Sequence, residues 1–577
     1  MAKSVRHRAL SLSWCDSGAA VLGILFFALT VGIEKVDPRN VRWLSFKDQK
    51  SHWMGWLFFA DDQWRWPLGA SPRYGWGGFN SIVFTDSWPV FAIFFKLLNV
   101  EAIDKGQYFG IAFLLCAILL FVFSSRLLQL LGLSRRLALL GSVIIGTTPM
   151  FWWTQRWYPA ISGGLCLLVG AIYLYFRSSN QDEYRFGWWL LVVVLAVGTN
   201  IYLAGIIVPI FMATLLQRYA RSRSTVIRIF RDCTCMGVIS LFTMYVLGYF
   251  TMPVGGATTN RYGVYTANLL GLVDTNNSSS IVPDIPSPYL QYEPTSVGIA
   301  TLLLIVVLVF RPRFLRILKS GLTSFRRHWI LLVAVLLMAA FAVSNSVTIG
   351  LYYWGFRIPE RIEKIFSIFQ SSVRFYWPLV LLVVVTCLVW VSRNTRRATF
   401  VFFFVVVVQI ADIRNLAREL QHRPNGQASV IMFDEMFWRG VPPRYTTFAF
   451  HYAENIRTGW DECALAAVRT KRVANCAYLS RSTGLEFVNA RQEKELLSGE
   501  LRDGVVYWIT WDQLARFPEM YRYRYGGAVH GFALLHPRSV SSKEFVLLFP
   551  YCMDQEQCSF LGDRRVTINE VLLSINE

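Results

Sequence analysis

Long apolar runs separated by short polar segments fill the first part of the chain, to about residue 417. A helix needs about 20 mostly apolar residues to cross a hydrocarbon layer about 30 Å thick. By this criterion we predict about eleven membrane-spanning helices. Their expected ranges are 17–33, 107–130, 137–153, 160–176, 187–200, 202–217, 233–250, 296–310, 329–345, 376–392 and 398–416. The stretch 187–217, which breaks at Thr199-Asn200, could instead form one long kinked helix.

The first apolar run follows three basic residues, Lys3, Arg6 and Arg8, as the core of a signal peptide would. No small-residue cleavage site follows the run, and the stretch from Glu34 to Asn40 is typical of the end of a helix. We therefore expect this segment to be retained as the first membrane anchor.

The composition supports a membrane protein. Of the 577 residues, 54% are hydrophobic and only 16% are charged, which is too apolar for a soluble globular protein of this size. A net charge of +20 would suggest nucleic-acid binding if the basic residues lined one folded surface. They lie instead in short clusters between apolar runs, a pattern that indicates membrane orientation. We expect no nucleic-acid partner.

The basic clusters predict the orientation, because short loops rich in lysine and arginine stay in the cytoplasm. With about eleven spans, all the clusters fall on the side of the N-terminus; they are Arg126 with Arg135 and Arg136, Arg218 to Arg231, Arg311 to Arg327, and Arg393 to Arg397. The loops 34–106, 251–295 and 346–375 and the tail then lie outside. We therefore expect a multi-pass protein of a bacterial inner membrane, with a cytoplasmic N-terminus and a periplasmic tail.

The apolar segment from Ser87 to Val100 tests this count. It has only about 14 residues, which is short for a span. A full crossing here would move every later basic cluster to the outer side. We therefore expect it to lie in the outer interface or to form a re-entrant piece.

The ten cysteines divide into two groups. Six lie in or beside apolar runs, where a free thiol behaves as a small hydrophobe. The other four, Cys463, Cys476, Cys552 and Cys558, lie in the tail. An even set in an outside region suggests disulfides, most simply Cys463–Cys476 and Cys552–Cys558, although four cysteines allow three pairings. A zinc site is the alternative, but the spacings are not those of paired CxxC knuckles.

The chain therefore divides into a transmembrane domain, residues 1–417, and a soluble periplasmic domain, residues 418–577. The soluble domain mixes alternating apolar runs, such as 504–509 and 544–549, with helix-like patterns such as 491–501. These patterns predict an α/β or α+β domain. We find no glycine-rich nucleotide fingerprint and no internal repeat.

The loop 34–88 combines aromatic and acidic residues in an unusual way. Its tryptophans could form an interfacial belt, and they could also stack on sugar faces. A belt alone does not explain the carboxylates between them, which include Asp62 and Asp86. The tryptophans lie at positions 43, 53, 56, 64, 66, 76 and 88.

Asp48 is the candidate catalytic carboxylate. Sugar transfer from a phospholipid donor needs a carboxylate to deprotonate or orient the acceptor hydroxyl. Asp48 lies at the outer mouth of the first membrane helix, and His52 follows four residues later, on the same face if this piece is helical. The alternative is a solvated charge in a polar loop.

Arg374 is the candidate for the phosphate, because an arginine fork matches phosphate oxygens in a bidentate way. It lies just before a span, beside Tyr376, and could equally snorkel to lipid headgroups. Arg156 could likewise bind the phosphate or snorkel to lipid headgroups. Glu293 could bind sugar hydroxyls or neutralise an arginine, and Asn268 lies in a polar loop that could gate substrate or merely be exposed.

Several stretches resemble the GT-C glycosyltransferase superfamily and, more narrowly, a bacterial membrane family placed near those enzymes. The order of first membrane helix, acidic outer loop, short interfacial helices, many spans and periplasmic tail is similar. The similar stretches are Asp48-Gln49 with His52 and Gly55-Trp56, Asp62-Gln63-Trp64 with Pro67-Leu68-Gly69, Ser81 to Ser87 with Pro89, Ala267-Asn268-Leu269-Leu270, Gln291-Tyr292-Glu293, Arg374 to Pro378, Gln409 to Asp412 and, more weakly, Ala474 to Leu479.

The resemblance implies a mainly α, GT-C-like bundle and a polyprenyl-phosphate sugar donor, with Asp48 as the base. The acceptor would be a glycan or a lipid-linked acceptor of the envelope, such as O-antigen or another surface polysaccharide. The loop has no Asp-x-Asp pattern, so we favour a metal-independent enzyme, although a divalent metal stays possible.

Two other functions compete with sugar transfer. A transporter or flippase of lipid-linked sugars should carry charges or broken helices near the middle of the membrane, and often an internal repeat. Here the middle of the predicted spans is nearly uncharged, and polar residues gather at the outer ends. A non-catalytic envelope assembly protein is the third possibility.

Overall fold

The computed structural model describes residues 14–44, 47–75, 80–99, 106–152, 159–251, 262–286, 293–311, 326–421, 435–451, 460–477, 479–480, 485–498, 501–510, 532–535, 545–550 and 565–566. The chain is a mainly helical membrane protein. It forms two compact units. The first comprises Met1–Asp37, Phe109–Thr243 and Thr259–Arg423, and the second comprises Pro38–Tyr108, Met244–Thr258 and Pro424–Glu577.

The first unit is built from helices, with one short β-hairpin formed by Ser346–Ile349 and Tyr352–Gly355. Its helices are Trp14–Thr30, Phe109–Leu130, Arg135–Gly146, Pro149–Trp152, Pro159–Gln181, Phe186–Thr199, Ile201–Ala220, Val226–Leu247 (whose last turn belongs to the second unit), Gly298–Val309, Trp329–Val343, Glu360–Phe366, Trp377–Asn394 and Ala398–Gln421.

Each predicted span coincides with a helix of the structure, except that 137–153 is divided in two. The division falls before Pro149, which lacks the N–H that a continuous helix would need. Asn200 likewise separates the helices on either side of it, because its side chain accepts a hydrogen bond from Tyr202 N at 3.0 Å and so begins a new helix. The stretch 187–217 is therefore two helices.

Five helices in the described part of the chain are long and apolar enough to cross a membrane. Others, such as Trp14–Thr30 and Trp329–Val343, are apolar but shorter. The five long segments are Phe109–Leu130, Ile201–Ala220, Val226–Leu247, Ser372–Asn394 and Ala398–Gln421.

The helices Trp14–Thr30 and Phe109–Leu130 pack closely because a glycine faces the crossing. A Cβ at Gly23 would lie 2.8 Å from Ile118 Cα and 2.9 Å from Ala117 O. Small residues permit such close approach between membrane helices. Asp16 joins the same two helices through a two-point ion pair with Arg126, at 2.9 and 3.2 Å.

Two polar side chains of the helix Ala398–Gln421 bind backbone groups that the other helices leave unsatisfied. Gln409 accepts from Ala300 N at 2.8 Å and donates to Thr147 O at 3.0 Å. Asp412 accepts from the N–H groups of Ser280 and Ile281, both at 2.9 Å. These side chains thus provide hydrogen-bond partners for backbone N–H and C=O groups that helix or sheet bonding does not satisfy.

The second unit centres on a six-stranded sheet. The first three strands across the sheet are parallel, and the others pair antiparallel. The strand order is Val473–Ala474, Thr447–Phe450, Val505–Thr510, Phe545–Pro550, Phe532–Leu535 and Arg565–Val566. Its helices are Lys47–Asp61, Pro89–Leu98, Glu435–Gly440, Trp460–Arg469 and Leu485–Ser498.

Residues 73–75 extend the sheet at the edge strand Val473–Ala474. Gly75 N donates to Ala474 O at 2.9 Å, and Ala474 N donates to Arg73 O at 2.8 Å. Tyr74 lies between them, fully buried, and its ring stacks on Phe58 at 4.4 Å. An edge strand with open hydrogen-bonding groups is a ready site for such pairing.

This grouping differs from the predicted division into 1–417 and 418–577. The end of the helical part, near Arg423, agrees closely, but the loop Pro38–Tyr108 belongs to the same unit as the tail. Hydrophobic patterning identifies separate segments and does not reveal pairing between residues 400 positions apart. The segment 87–100 contributes the helix Pro89–Leu98, which at about 15 Å is too short to cross a membrane.

Cys463 and Cys476 form a disulfide whose Cα atoms are 6.2 Å apart. It joins the helix Trp460–Arg469 to the residues that follow the edge strand. Cys552 and Cys558 lie outside the described residues.

We predict that replacing both Cys463 and Cys476 with serine lowers the stability of the second unit by about 3 kcal/mol, because the bond closes a short loop in the unfolded chain. Thermal unfolding of the purified full chain, followed by limited proteolysis of the tail, measures this loss. The matched control replaces Cys233 and Cys235, which are free thiols. Equal melting of the two double variants would contradict the prediction.

Candidate functional site

Arg374 and Glu293 form a buried ion pair in the first unit. Arg374 Nε donates to Glu293 Oε1 at 2.6 Å, and the two side chains are only 7% and 1% exposed. Ser371 Oγ donates to the same carboxylate oxygen at 3.3 Å. The sequence left open whether Glu293 binds a sugar or neutralises an arginine, and the structure shows that it contacts Arg374.

Tyr202 holds the pair from one side. The Arg374 guanidinium lies 4.4 Å from the centre of the Tyr202 ring, where a cation is attracted to the ring face. The Tyr202 hydroxyl also accepts a hydrogen bond from Ser371 N at 2.9 Å. Tyr202 follows the helix start at Asn200, and Arg374 lies in the 3-10 turn Ser372–Tyr376. The ends of two long helices thus fix the arginine.

Glu293 is chemically unusual for a carboxylate. Burial raises its pKa, while the charge of Arg374 and hydrogen bonds from Arg374 and Ser371 oppose the rise. Its second oxygen, Oε2, is buried and has no hydrogen-bond partner among the residues that the structure describes. A buried acceptor without a donor is costly, so this oxygen suits a donor from a ligand, such as a sugar hydroxyl.

Asp48 and His52 lie one turn apart on the helix Lys47–Asp61 of the second unit. Asp48 occupies the first turn and is half-buried, where the positive end of the helix dipole stabilises a negative charge. His52 is 3% exposed. The expected common face of the two residues is therefore present, with the carboxylate nearer to solvent.

The surroundings of His52 fix its tautomer. Its Nδ1 lies 2.8 Å from the carbonyl oxygen of Thr85, which can only accept, so Nδ1 carries the hydrogen. In the neutral ring Nε2 is then an acceptor, and it has no partner in the described part of the chain. Gly55, one turn further on, allows this close packing, because a Cβ there would overlap Thr85.

Asp62 and Asp86, the other two predicted substrate-binding carboxylates of this loop, differ in their surroundings. Asp86 is half-buried and has a left-handed backbone, φ 51°, directly after the 3-10 turn Ile82–Thr85. Asp62 is buried, accepts from Gln63 N at 2.9 Å and pairs with Arg65 at 3.1 Å. Its oxygens thus bind groups of the turn that follows the helix Lys47–Asp61.

Asn268 and Tyr376 are the remaining predicted site residues that the structure describes. Asn268 is fully buried, and its side chain binds Leu270 N and the backbone of Gly350, so it joins a loop to the β-hairpin. Tyr376 is buried in the turn that carries Arg374. Arg156 lies outside the described residues.

Sequence reasoning missed a polar group at the start of the helix Trp460–Arg469. Lys50 Nζ binds Asp461 Oδ2 at 2.6 Å, and this bond joins the loop helix to the tail. Beside it, Glu462 is 4% exposed, and burial, then the charge of Asp461, raises its pKa to about 8. His451 follows the strand Thr447–Phe450, and burial lowers its pKa to about 4. Two acidic residues at the start of an amphipathic helix were the only local signal.

The described residues contain no group of three or more His, Cys, Asp or Glu side chains that could hold a metal ion. The candidates thus form two sets. Glu293 and Arg374 meet in the first unit, and Asp48, His52 and Asp86 lie on neighbouring elements of the second.

We predict strong coupling between Glu293 and Arg374. Glu293→Leu or Arg374→Met alone leaves an uncompensated buried charge and costs about 3–5 kcal/mol, whereas the double variant recovers most of this loss. Melting temperatures of the four proteins in detergent give the coupling. Glu360→Gln, which breaks the exposed pair with Lys364, is the control and should leave the melting temperature unchanged. Additive losses would show that the two side chains act independently.

We predict that the second unit loses stability as the pH rises from about 6.5 to about 8. At lower pH the lowered pKa of His451, from 6.5 to about 4, acts in the opposite direction and offsets the effect of Glu462. The pKa of Glu462 is 4.5 in the unfolded chain and about 8 in the fold, so between these two values only the folded state holds the proton. Glu462→Gln should flatten this slope and raise the melting temperature at pH 8. Scanning fluorimetry at several pH values measures it, with Glu495→Gln as a control. An unchanged slope in Glu462→Gln would rule out this residue as its source.

The family of a domain of unknown function, DUF6311, matches residues 20–414, which is more than half of the chain. No curated protein gives a match. The match includes the loop that carries Asp48 and both members of the Glu293–Arg374 pair. On this evidence the chain belongs to the DUF6311 family.

Proposed function

We propose that this protein is a GT-C-type glycosyltransferase that moves a sugar from a polyprenyl-phosphate donor to an envelope glycan on the periplasmic face of the bacterial inner membrane. The buried Arg374–Glu293 pair is the observation that carries the proposal. A guanidinium suits the phosphate of the donor, and the Glu293 oxygen without a described partner suits a sugar hydroxyl. A membrane protein with no such substrate would gain little from this costly arrangement.

Asp48 acts as the base in this proposal. It would take the proton of the acceptor hydroxyl while that oxygen bonds to the anomeric carbon from the face opposite the phosphate. The bond from the sugar to the phosphate breaks, polyprenyl phosphate leaves, and this single displacement gives inversion. The first turn of the helix Lys47–Asp61 favours the charged carboxylate, and its partial exposure allows a substrate to reach it. The proposal requires no metal ion.

The topology in this proposal has about eleven spans, with the N-terminus in the cytoplasm and the tail in the periplasm. Helices at every predicted span, five of them long enough to cross alone, support the count. The Cys463–Cys476 disulfide supports an oxidising compartment for the tail.

We predict that Asp48→Asn abolishes transfer without loss of the folded protein. Deleting the protein from its host should remove one sugar from the surface glycan, as measured by mass spectrometry, and the wild type should restore it. Asp48→Asn should restore at most about one part in a hundred, as expected when a general base is removed. Asp61→Asn, at the other end of the same helix, is the matched control and should restore the sugar fully.

Full restoration by Asp48→Asn, at equal protein level, would exclude this residue as the base. Loss of the whole glycan in the deletion strain, with its lipid-linked precursor trapped on the cytoplasmic side, would favour a flippase instead.

A further inference from the structure

A second basic group lies in the first unit, around the loop that follows the helix Ile201–Ala220. Arg218, Arg221 and Arg223 line a narrow recess together with Tyr175, Ser179 and Gln217. None of these residues belongs to the candidate sites described above. Three guanidinium groups and several hydroxyls on one concave surface are the donor set that a phosphate requires.

The positive charge of the recess is poorly neutralised. Asp182 is the acidic side chain that pairs with these arginines in the described part of the chain, at 2.7 Å from Arg218 and 3.8 Å from Arg223. Arg221 binds neutral oxygens only, among them Ser179 Oγ at 2.7 Å and the Arg327 carbonyl. Burial and the repulsion of Arg327 and Arg223 lower the pKa of Arg221. In the described part of the chain, Arg218 and Arg223 thus share the carboxylate of Asp182, while the hydrogen bonds of Arg221 go to neutral oxygens.

His328 completes one wall without adding charge. Its Nδ1 lies 3.1 Å from the Tyr175 hydroxyl and 3.4 Å from Ser179 Oγ. Burial, Arg221 and Arg327 lower the pKa of His328 to about 4, so the ring is neutral at pH 7. The surrounding charge is thus positive enough to exclude a further cation, and an anion would relieve the repulsion.

The location points to a lipid as one source of the anion. The recess lies where the helices Pro159–Gln181 and Ile201–Ala220 end and where Trp329–Val343 begins. Basic pockets between the ends of membrane helices bind phospholipid headgroups. Arg223 is exposed and Arg221 is partly exposed, so both can turn outward to admit a headgroup that the narrow space does not now hold.

We propose that Arg218, Arg221 and Arg223 form a phosphate-binding site that takes the headgroup of an anionic phospholipid or a soluble phosphate. The site is separate from the Arg374–Glu293 pair and does not depend on the proposed glycosyl transfer.

The test uses the purified, delipidated full chain in a neutral detergent. Native mass spectrometry should show one phosphatidylglycerol held at least about tenfold more tightly than phosphatidylcholine, because charge-assisted hydrogen bonds favour the headgroup with a net negative charge. Arg221→Gln/Arg223→Gln should remove this preference. The matched control, Arg396→Gln/Arg397→Gln, also removes two charges, at exposed positions, and should keep it.

A second arm separates the two sources. Sodium phosphate should raise the melting temperature above that in sodium chloride of equal ionic strength if the site takes a soluble phosphate, and phosphatidylglycerol alone should do so if it takes a lipid. Arg223→Gln alone changes one exposed side chain and should leave the fold intact. A loss of the response in this variant therefore cannot be attributed to unfolding. An equal decrease in both double variants, or no response to either phosphate source, would overturn the proposal.

Discussion

Removal from water governs the polar chemistry of this chain. A buried polar or charged group must find its partner within the protein, because the hydrocarbon supplies none. Gln409 and Asp412 satisfy backbone groups of neighbouring segments, and Arg374 and Glu293 satisfy each other. The residues that break this rule are therefore the informative ones. Glu293 Oε2 and His52 Nε2 are buried acceptors without a described donor.

The first unit carries two arginine groups of opposite character. Arg374 is held by one carboxylate and one aromatic ring, so its charge is balanced and its direction is fixed. Arg218 and Arg223 share the exposed carboxylate of Asp182, and Arg221 beside them contacts neutral oxygens, so the charge of this group is in excess. Similar residue types thus support different roles.

The positions of the helices were predictable from the sequence, and their long-range partners were not. Apolar runs predict helices because the run length and the hydrocarbon thickness are fixed quantities. The breaks at Asn200 and Pro149 also follow from local chemistry, through a capping side chain and a missing N–H. The Lys50–Asp461 bond joins residues more than 400 positions apart. A local pattern marks Asp461 as a residue of a helix start, but it does not reveal Lys50 as the partner. Asn268 was a candidate substrate residue because it lies in a polar loop. Its side chain hydrogen-bonds the backbone of Leu270 and Gly350.

The pairing of residues 73–75 with the edge of the sheet has a consequence for biosynthesis. The ribosome makes this segment early and the strands Thr447–Phe450 and Val473–Ala474 late, so the pairing cannot form until about 400 further residues have been added. During that interval the backbone N–H and C=O groups of residues 73–75 lack their partners in the sheet. Tyr74, which is fully buried in the fold, is not yet covered. The order of synthesis therefore delays pairing at this edge of the sheet until the tail strands have been made.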